Sequence, residues 1–139
     1  MKELKILAKV ENLDEVIDFI NEQLNQVGCS TETKNEIDLA AEELFVNIAH
    51  YAYPSDNVGN AVIQTSITTE PKTLKLTFID WGIPYNPLER SDPNIKDIPL
   101  EKRRNGGMGI YIVKKSMDDI AYQHTDGKNI LTISKVIGS

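Results

Sequence analysis

The sequence predicts an α+β domain. Segments of strand period and of helical period alternate along the 139 residues. Two turn signals, Pro71-Lys72 and Asp126-Gly127, each separate a pair of apolar-alternating segments as a hairpin turn does. Length is the third observation: 139 residues fit one domain, burying roughly 68% of the unfolded surface without disulfides or metals. The reading is therefore one domain over residues 1–139, with no repeat and no low-complexity tract.

Taken in order, Leu4, Ile6, Ala8 and Val10 alternate with Lys5, Leu7 and Lys9, which predicts a first strand. Asn12-Leu-Asp-Glu supplies a capping residue and first-turn acids. Val16, Ile17, Ile20 and Leu24 then recur at helical spacing up to a stop at Gly28. Ser30 or Thr31 caps a longer helix with the stripe Ile37, Ala40, Ala41, Leu44 and Ile48, running to about Tyr53 before Pro54. A turn rich in Ser, Asp, Asn and Gly leads to two strands. Ala61, Ile63, Thr65 and Ile67 share a face of one, and Leu74, Leu76 and Phe78 share a face of the other.

Residues 82–105 hold no period and include Pro84, Pro87, Pro93 and Pro99; connections this long in a compact domain are usually functional or mobile. Helix resumes from Gly106 through Ile110, Ile112, Val113 and Met117, and residues 120–124 and 129–136 form a last hairpin.

Composition narrows the functional classes. A formal charge of −6 argues against direct nucleic-acid binding, although Lys102-Arg103-Arg104 is a local basic run. Cys29 is the only cysteine, which excludes an internal disulfide and suits a reducing compartment. No apolar run approaches the roughly 20 residues of a membrane span, and Met1-Lys-Glu-Leu-Lys lacks a signal-peptide apolar region. The expected location is the cytoplasm.

Three patches carry the chemistry. Glu43 and Asn47 lie one helical turn apart on a single face, flanking the core stripe, with His50 continuing the line. Such a pair is either a solvated polar flank or a carboxylate and amide aimed into a cleft. In the second case the amide oxygen is a hard ligand for Mg²⁺ beside phosphate, and the Glu is a general base. Asp80 has the parity of Leu74, Leu76 and Phe78, so it faces the helices and needs partners there. A backbone amide of the Trp81-Gly82 turn or the exocyclic amine of a ligand base would serve. Gly82 frees the backbone to turn and leaves room for a flat ring. Gly106, Gly107, Met108 and Gly109 open a helix, where unpaired amides and the positive dipole end suit phosphate. A plain hinge is the alternative there. No Walker A loop, dinucleotide fingerprint, zinc spacing or Ser-His-Asp set is present.

Together the patches resemble a known family. Asp38-Leu-Ala-Ala-Glu-Glu43-Leu-Phe-Val-Asn47-Ile-Ala-His50-Tyr-Ala-Tyr53 resembles the N-box of the GHKL ATPases, and its closing Asn-x-x-His-x-x-Tyr is similar to that of the bacterial anti-sigma-factor serine/threonine kinases. Asp80-Trp-Gly82-Ile-Pro84-Tyr-Asn-Pro87 and Gly106-Gly-Met-Gly109-Ile-Tyr-Ile-Val113 resemble the two glycine boxes, and the tail from Met117 to Thr132 is also similar. The resemblance spans nearly the whole chain in order.

It implies a two-layer Bergerat sandwich, a mixed and mostly antiparallel sheet covered by about three helices. ATP would lie between the helices and an ATP lid at residues 82–105. Asn47 would hold Mg²⁺, Glu43 would activate the attacking hydroxyl, and Asp80 would accept from the adenine amine with Thr132 nearby through water. Gly106, Gly107, Met108 and Gly109 would wrap the phosphates, with Arg103 or Arg104 as the cation on the γ-phosphate. The implied partners are a sigma factor and an STAS-domain anti-anti-sigma protein, and the implied assembly is a homodimer. Within these residues there is no dimerisation helix or phosphoacceptor domain of an autophosphorylating histidine kinase. A non-catalytic ATP-binding switch and an inert adaptor are the other readings. Glu43 favours the kinase, because a pure binder does not need it.

Overall fold

A computed structural model describes residues 1–89 and 109–138. Five strands form one sheet: β1 (Lys2–Leu7), β2 (Asn60–Thr68), β3 (Thr73–Asp80), β4 (Asp119–Thr125) and β5 (Lys128–Val136). Their order is β1-β2-β3-β5-β4, and every described pairing is antiparallel. Among the described residues three helices, α1 (Leu13–Val27), α2 (Thr31–Tyr51) and α3 (Gly109–Ser116), supply the second layer.

Local chemistry explains most of the boundaries. Ser30 caps α2, its hydroxyl accepting from the Thr33 amide at 3.1 Å. Gly28 ends α1 with φ of 78°, a conformation costly to residues with a Cβ. Asp126 and Gly127 both have positive φ, at 53° and 75°, as a two-residue turn between right-twisted strands requires. Two expectations at the N-terminal end are corrected. Val10 leaves the strand and starts a 3₁₀ turn (Val10–Asn12) in an exposed position. Asn12 makes no side-chain cap; its Nδ2 donates back to the Leu7 carbonyl at 2.9 Å and closes the strand-to-helix turn instead.

The core lies between the layers. Val16, Ile20 and Leu24 of α1 and Ile37, Ala41, Leu44 and Phe45 of α2 pack with Ile63, Leu74, Leu76, Phe78 and Ile133 of the sheet. Each of these strand residues shares one parity, so the opposite face, with Gln64, Lys75 and Thr132, turns away from the helices. Among the described residues no helix is long and apolar enough to cross a membrane.

Candidate functional site

An open cleft lies where the C-terminal half of α2 meets the end of β3, the start of β5 and residues 83–87. Asp80, the last residue of β3, forms part of its wall and is only 5% exposed. Its parity with Leu74, Leu76 and Phe78 is what turns it inward, as the sequence predicted. Two donors hold it: Gly82 N–H at 2.9 Å and Asn129 Nδ2 at 2.8 Å. Both land on Oδ1, and no described residue donates to Oδ2. Burial pushes the carboxyl pKa above the ordinary carboxylate range; the Asn129 and Gly82 hydrogen bonds and the His124 side chain oppose that rise. The site therefore holds a desolvated carboxylate with one oxygen anchored and the other available to a ligand donor.

Thr132 does not stand beside Asp80. In the β3–β5 register Thr77 faces Thr132 and Asp80 faces Asn129. Thr132 Oγ1 lies 3.4 Å from Thr77 Oγ1 on the sheet face turned away from the cleft. The correction follows from the strand period: Thr132 is an odd number of residues from Asn129 and so points to the other side. Asn129 takes the place beside Asp80, and sequence reasoning had not singled it out.

Gly82 is required by its backbone neighbour. A Cβ there would sit 2.2 Å from the Ala52 carbonyl oxygen, at the end of α2. That close approach lets Ile83 N–H donate to Ala52 O at 3.0 Å and pins the exit of β3 to the helix. Tyr53 secures the same corner. Its hydroxyl donates to Asn60 O at 2.6 Å and accepts from Trp81 N–H at 2.8 Å. Burial pushes that phenol upward in pKa, against the lowering effect of the Trp81 bond.

On α2, Asn47 lines the cleft, and its Nδ2 donates to Glu43 Oε1 at 3.4 Å. The amide is thereby turned with its oxygen away from Glu43. Among the described residues no group of three or more His, Cys, Asp or Glu forms a metal cluster. Mg²⁺ does not need one, because it is held by one or two protein oxygens together with water and phosphate. The Asn47 amide oxygen fits that donor set.

Glu43 meets the start of α3. A Cβ on Gly109 would fall 1.8 Å from Glu43 Cδ, so the carboxylate rests directly on this glycine. Gly109 is thus where the two helices close on the acid. Arg103, Arg104, Gly106, Gly107 and Met108 lie outside the described residues, as do residues 90–105 of the expected lid. His50 is exposed, with its ring edge-on to Tyr51.

A helix layer over one face of an antiparallel sheet, with a buried acid at a strand end facing an Asn on the covering helix, defines a nucleotide-pocket domain. The histidine kinase-like ATPase domain matches residues 6–135, and this chain belongs to that family. Membership makes ATP the ligand class of the domain. The chain is 28% identical to the serine-protein kinase RsbW of Bacillus mycoides over 132 residues, covering 93% of this chain and 81% of that protein. It is 27% identical to the serine-protein kinase RsbW of Oceanobacillus iheyensis over 139 residues, covering 97% and 85%. In fold it is similar to the RsbU and RsbW domains of Rv1364c from Mycobacterium tuberculosis (TM-score 0.67, 14% identity, all of this chain and 33% of that one). It also resembles the structure of the SiaB-SiaC complex from Pseudomonas aeruginosa (TM-score 0.63, 14% identity, 99% of this chain and 90% of that one).

Proposed function

We propose that this protein is an ATP-dependent serine/threonine kinase that binds a sigma factor and phosphorylates an STAS-domain anti-anti-sigma protein, so that partners exchange with phosphorylation. The observation that carries the ATP reading is Asp80. Its protein donors occupy Oδ1 alone, and Oδ2 remains as an acceptor at the wall of the cleft. The adenine amine supplies the missing donor. The kinase reading is supported by the Glu43–Asn47 pair and by similarity to proteins named serine-protein kinases across most of the chain.

In this scheme Asn47 holds Mg²⁺, which neutralises phosphate charge when bound. Glu43 takes the proton from the attacking serine or threonine hydroxyl. The hydroxyl oxygen bonds to the γ-phosphorus as the bond to the bridging oxygen breaks, and ADP leaves with that electron pair. Gly106, Gly107, Met108 and Gly109 line the phosphates, Arg103 or Arg104 supplies the cation, and residues 82–105 form the lid. The protein works in the cytoplasm as a homodimer.

Mixing the protein with Mg·ATP and an STAS-domain partner tests this by mass spectrometry. The expected result is a gain of one phosphate on the partner, lost in Glu43→Ala while ATP binding is kept. Binding of ATP with no transfer by the wild type would make the protein a non-catalytic switch.

A further inference from the structure

An amide side chain has two N–H donors and one oxygen acceptor with two lone pairs. At Asn129, only 6% exposed, all of these are engaged. Nδ2 donates to Asp80 Oδ1 and to the Ile83 carbonyl, each at 2.8 Å. Oδ1 accepts from the Tyr122 hydroxyl and, at 3.4 Å, from Tyr85 N–H. The partners come from the end of β3, from the segment that follows it, and from β4. Tyr122 pairs with Leu131 across the last hairpin, which places its ring on the same sheet face as Asn129.

The network fixes which way the amide faces. Rotating it by half a turn would set its oxygen against the Asp80 carboxylate and the Ile83 carbonyl, and its NH₂ against Tyr85 N–H. Either mismatch leaves buried polar groups unsatisfied. In the orientation set by those partners, the Tyr122 hydroxyl donates to the amide oxygen. Asn129 is therefore a rigid strut, and whatever it touches inherits that rigidity.

We propose that Asn129 is a positioning residue that sets base specificity: it anchors Asp80 through Oδ1 so that Oδ2 alone meets the base, and it ties residues 83–85 of the cleft wall to the same amide. The inference rests on the ATP reading of the cleft and extends it. A fixed, desolvated acceptor rewards the 6-amino group of adenine. A 6-keto base would put a carbonyl oxygen against Oδ2, acceptor against acceptor, with no donor to relieve it. Discrimination of that kind lasts only while the carboxylate cannot turn away. Without the strut Asp80 rotates, and the wall at residues 83–85 separates from it.

The test is calorimetric titration of ATP and of GTP, with Mg²⁺, into the full chain as wild type, Asn129→Ala and Tyr122→Phe. The wild type binds ATP in preference to GTP. Asn129→Ala lowers the ATP-over-GTP affinity ratio by about tenfold, mainly through weaker ATP binding, as expected when a buried hydrogen-bond partner is removed. Tyr122→Phe, which deletes one hydroxyl and leaves the fold in place, lowers the ratio by about threefold. A general loss of packing would weaken both nucleotides together and leave the ratio intact, and that result overturns the proposal. Should Asn129→Ala fail to fold, the ratio in Tyr122→Phe decides on the same criterion. A wild type that binds neither nucleotide overturns the ATP reading, and this inference with it. A wild type that binds ATP, with unchanged ratios in the folded variants, overturns this inference alone.

Discussion

At the scale of the residue, Asp80 is held in a state that costs the empty protein stability. Desolvation raises its folded-state pKa, so the native protein binds this proton more tightly than the unfolded chain does. Above the raised pKa the penalty is fully present, it shrinks as pH falls through that pKa, and it is gone below the ordinary carboxylate range. Asp80→Asn keeps an oxygen for Gly82 N–H and Asn129 Nδ2 while removing the charge. The ligand-free variant is expected to melt above the wild type at neutral pH, with the gap closing on acidification. Comparing the two proteins cancels the other titrating groups, including Asp38, whose carboxyl is also raised by burial. A gap that stays constant with pH would show that charge burial is not its cause. The proposed base recognition would account for the costly acid: a neutral amide at position 80 would turn an NH₂ toward the adenine amine, donor against donor.

At the scale of the element, the site depends on two close approaches. β3 leaves the sheet against the end of α2, where Gly82 meets the Ala52 carbonyl, and α3 begins against the side of α2, where Gly109 meets Glu43. Gly109→Ala has no positive-φ penalty to bear, so its effect comes from the side chain alone. The new methyl must displace the Glu43 carboxylate. A shift of about 1 Å in a catalytic base can cost about 10²-fold, and single-turnover phosphate transfer is expected to fall by that order. Transfer within about twofold of wild type would separate Gly109 from the chemistry. These junctions also mark how far the sequence could be read. Helical and strand periods gave the elements, the Ser30 cap and the Asp126-Gly127 turn gave boundaries, and strand parity alone turned Asp80 inward. The pairing of β3 with β5 joins residues 49 apart and is set by tertiary packing, so no local signal placed Asn129 beside Asp80. For the same reason Thr132 was put on the wrong face. Gly82 and Gly109 stood out as glycines, but what each one touches emerges only when helices and sheet come together.

At the scale of the whole molecule, one helix layer on one sheet face leaves a cleft at the end where β3 finishes, β5 begins and α2 passes overhead. The buried core beneath it, from Phe45 and Leu44 to Phe78 and Ile133, makes the floor rigid. In the proposed scheme the Asp80 carboxylate of the sheet and the Asn47 amide of α2, which line one cleft, meet one ligand from different elements. Nucleotide occupancy tests that scheme across these elements at once. A ligand that binds only the native state stabilises it by about 2.7 kcal/mol at a hundredfold excess over Kd. For a domain of this size that raises the melting temperature by roughly 8 °C. Thermal unfolding with and without saturating Mg·ATP is the direct measurement. A rise of this order is expected in the wild type and none in Asp80→Asn; an equal rise in both proteins, or no rise in the wild type, would contradict adenine recognition by Asp80.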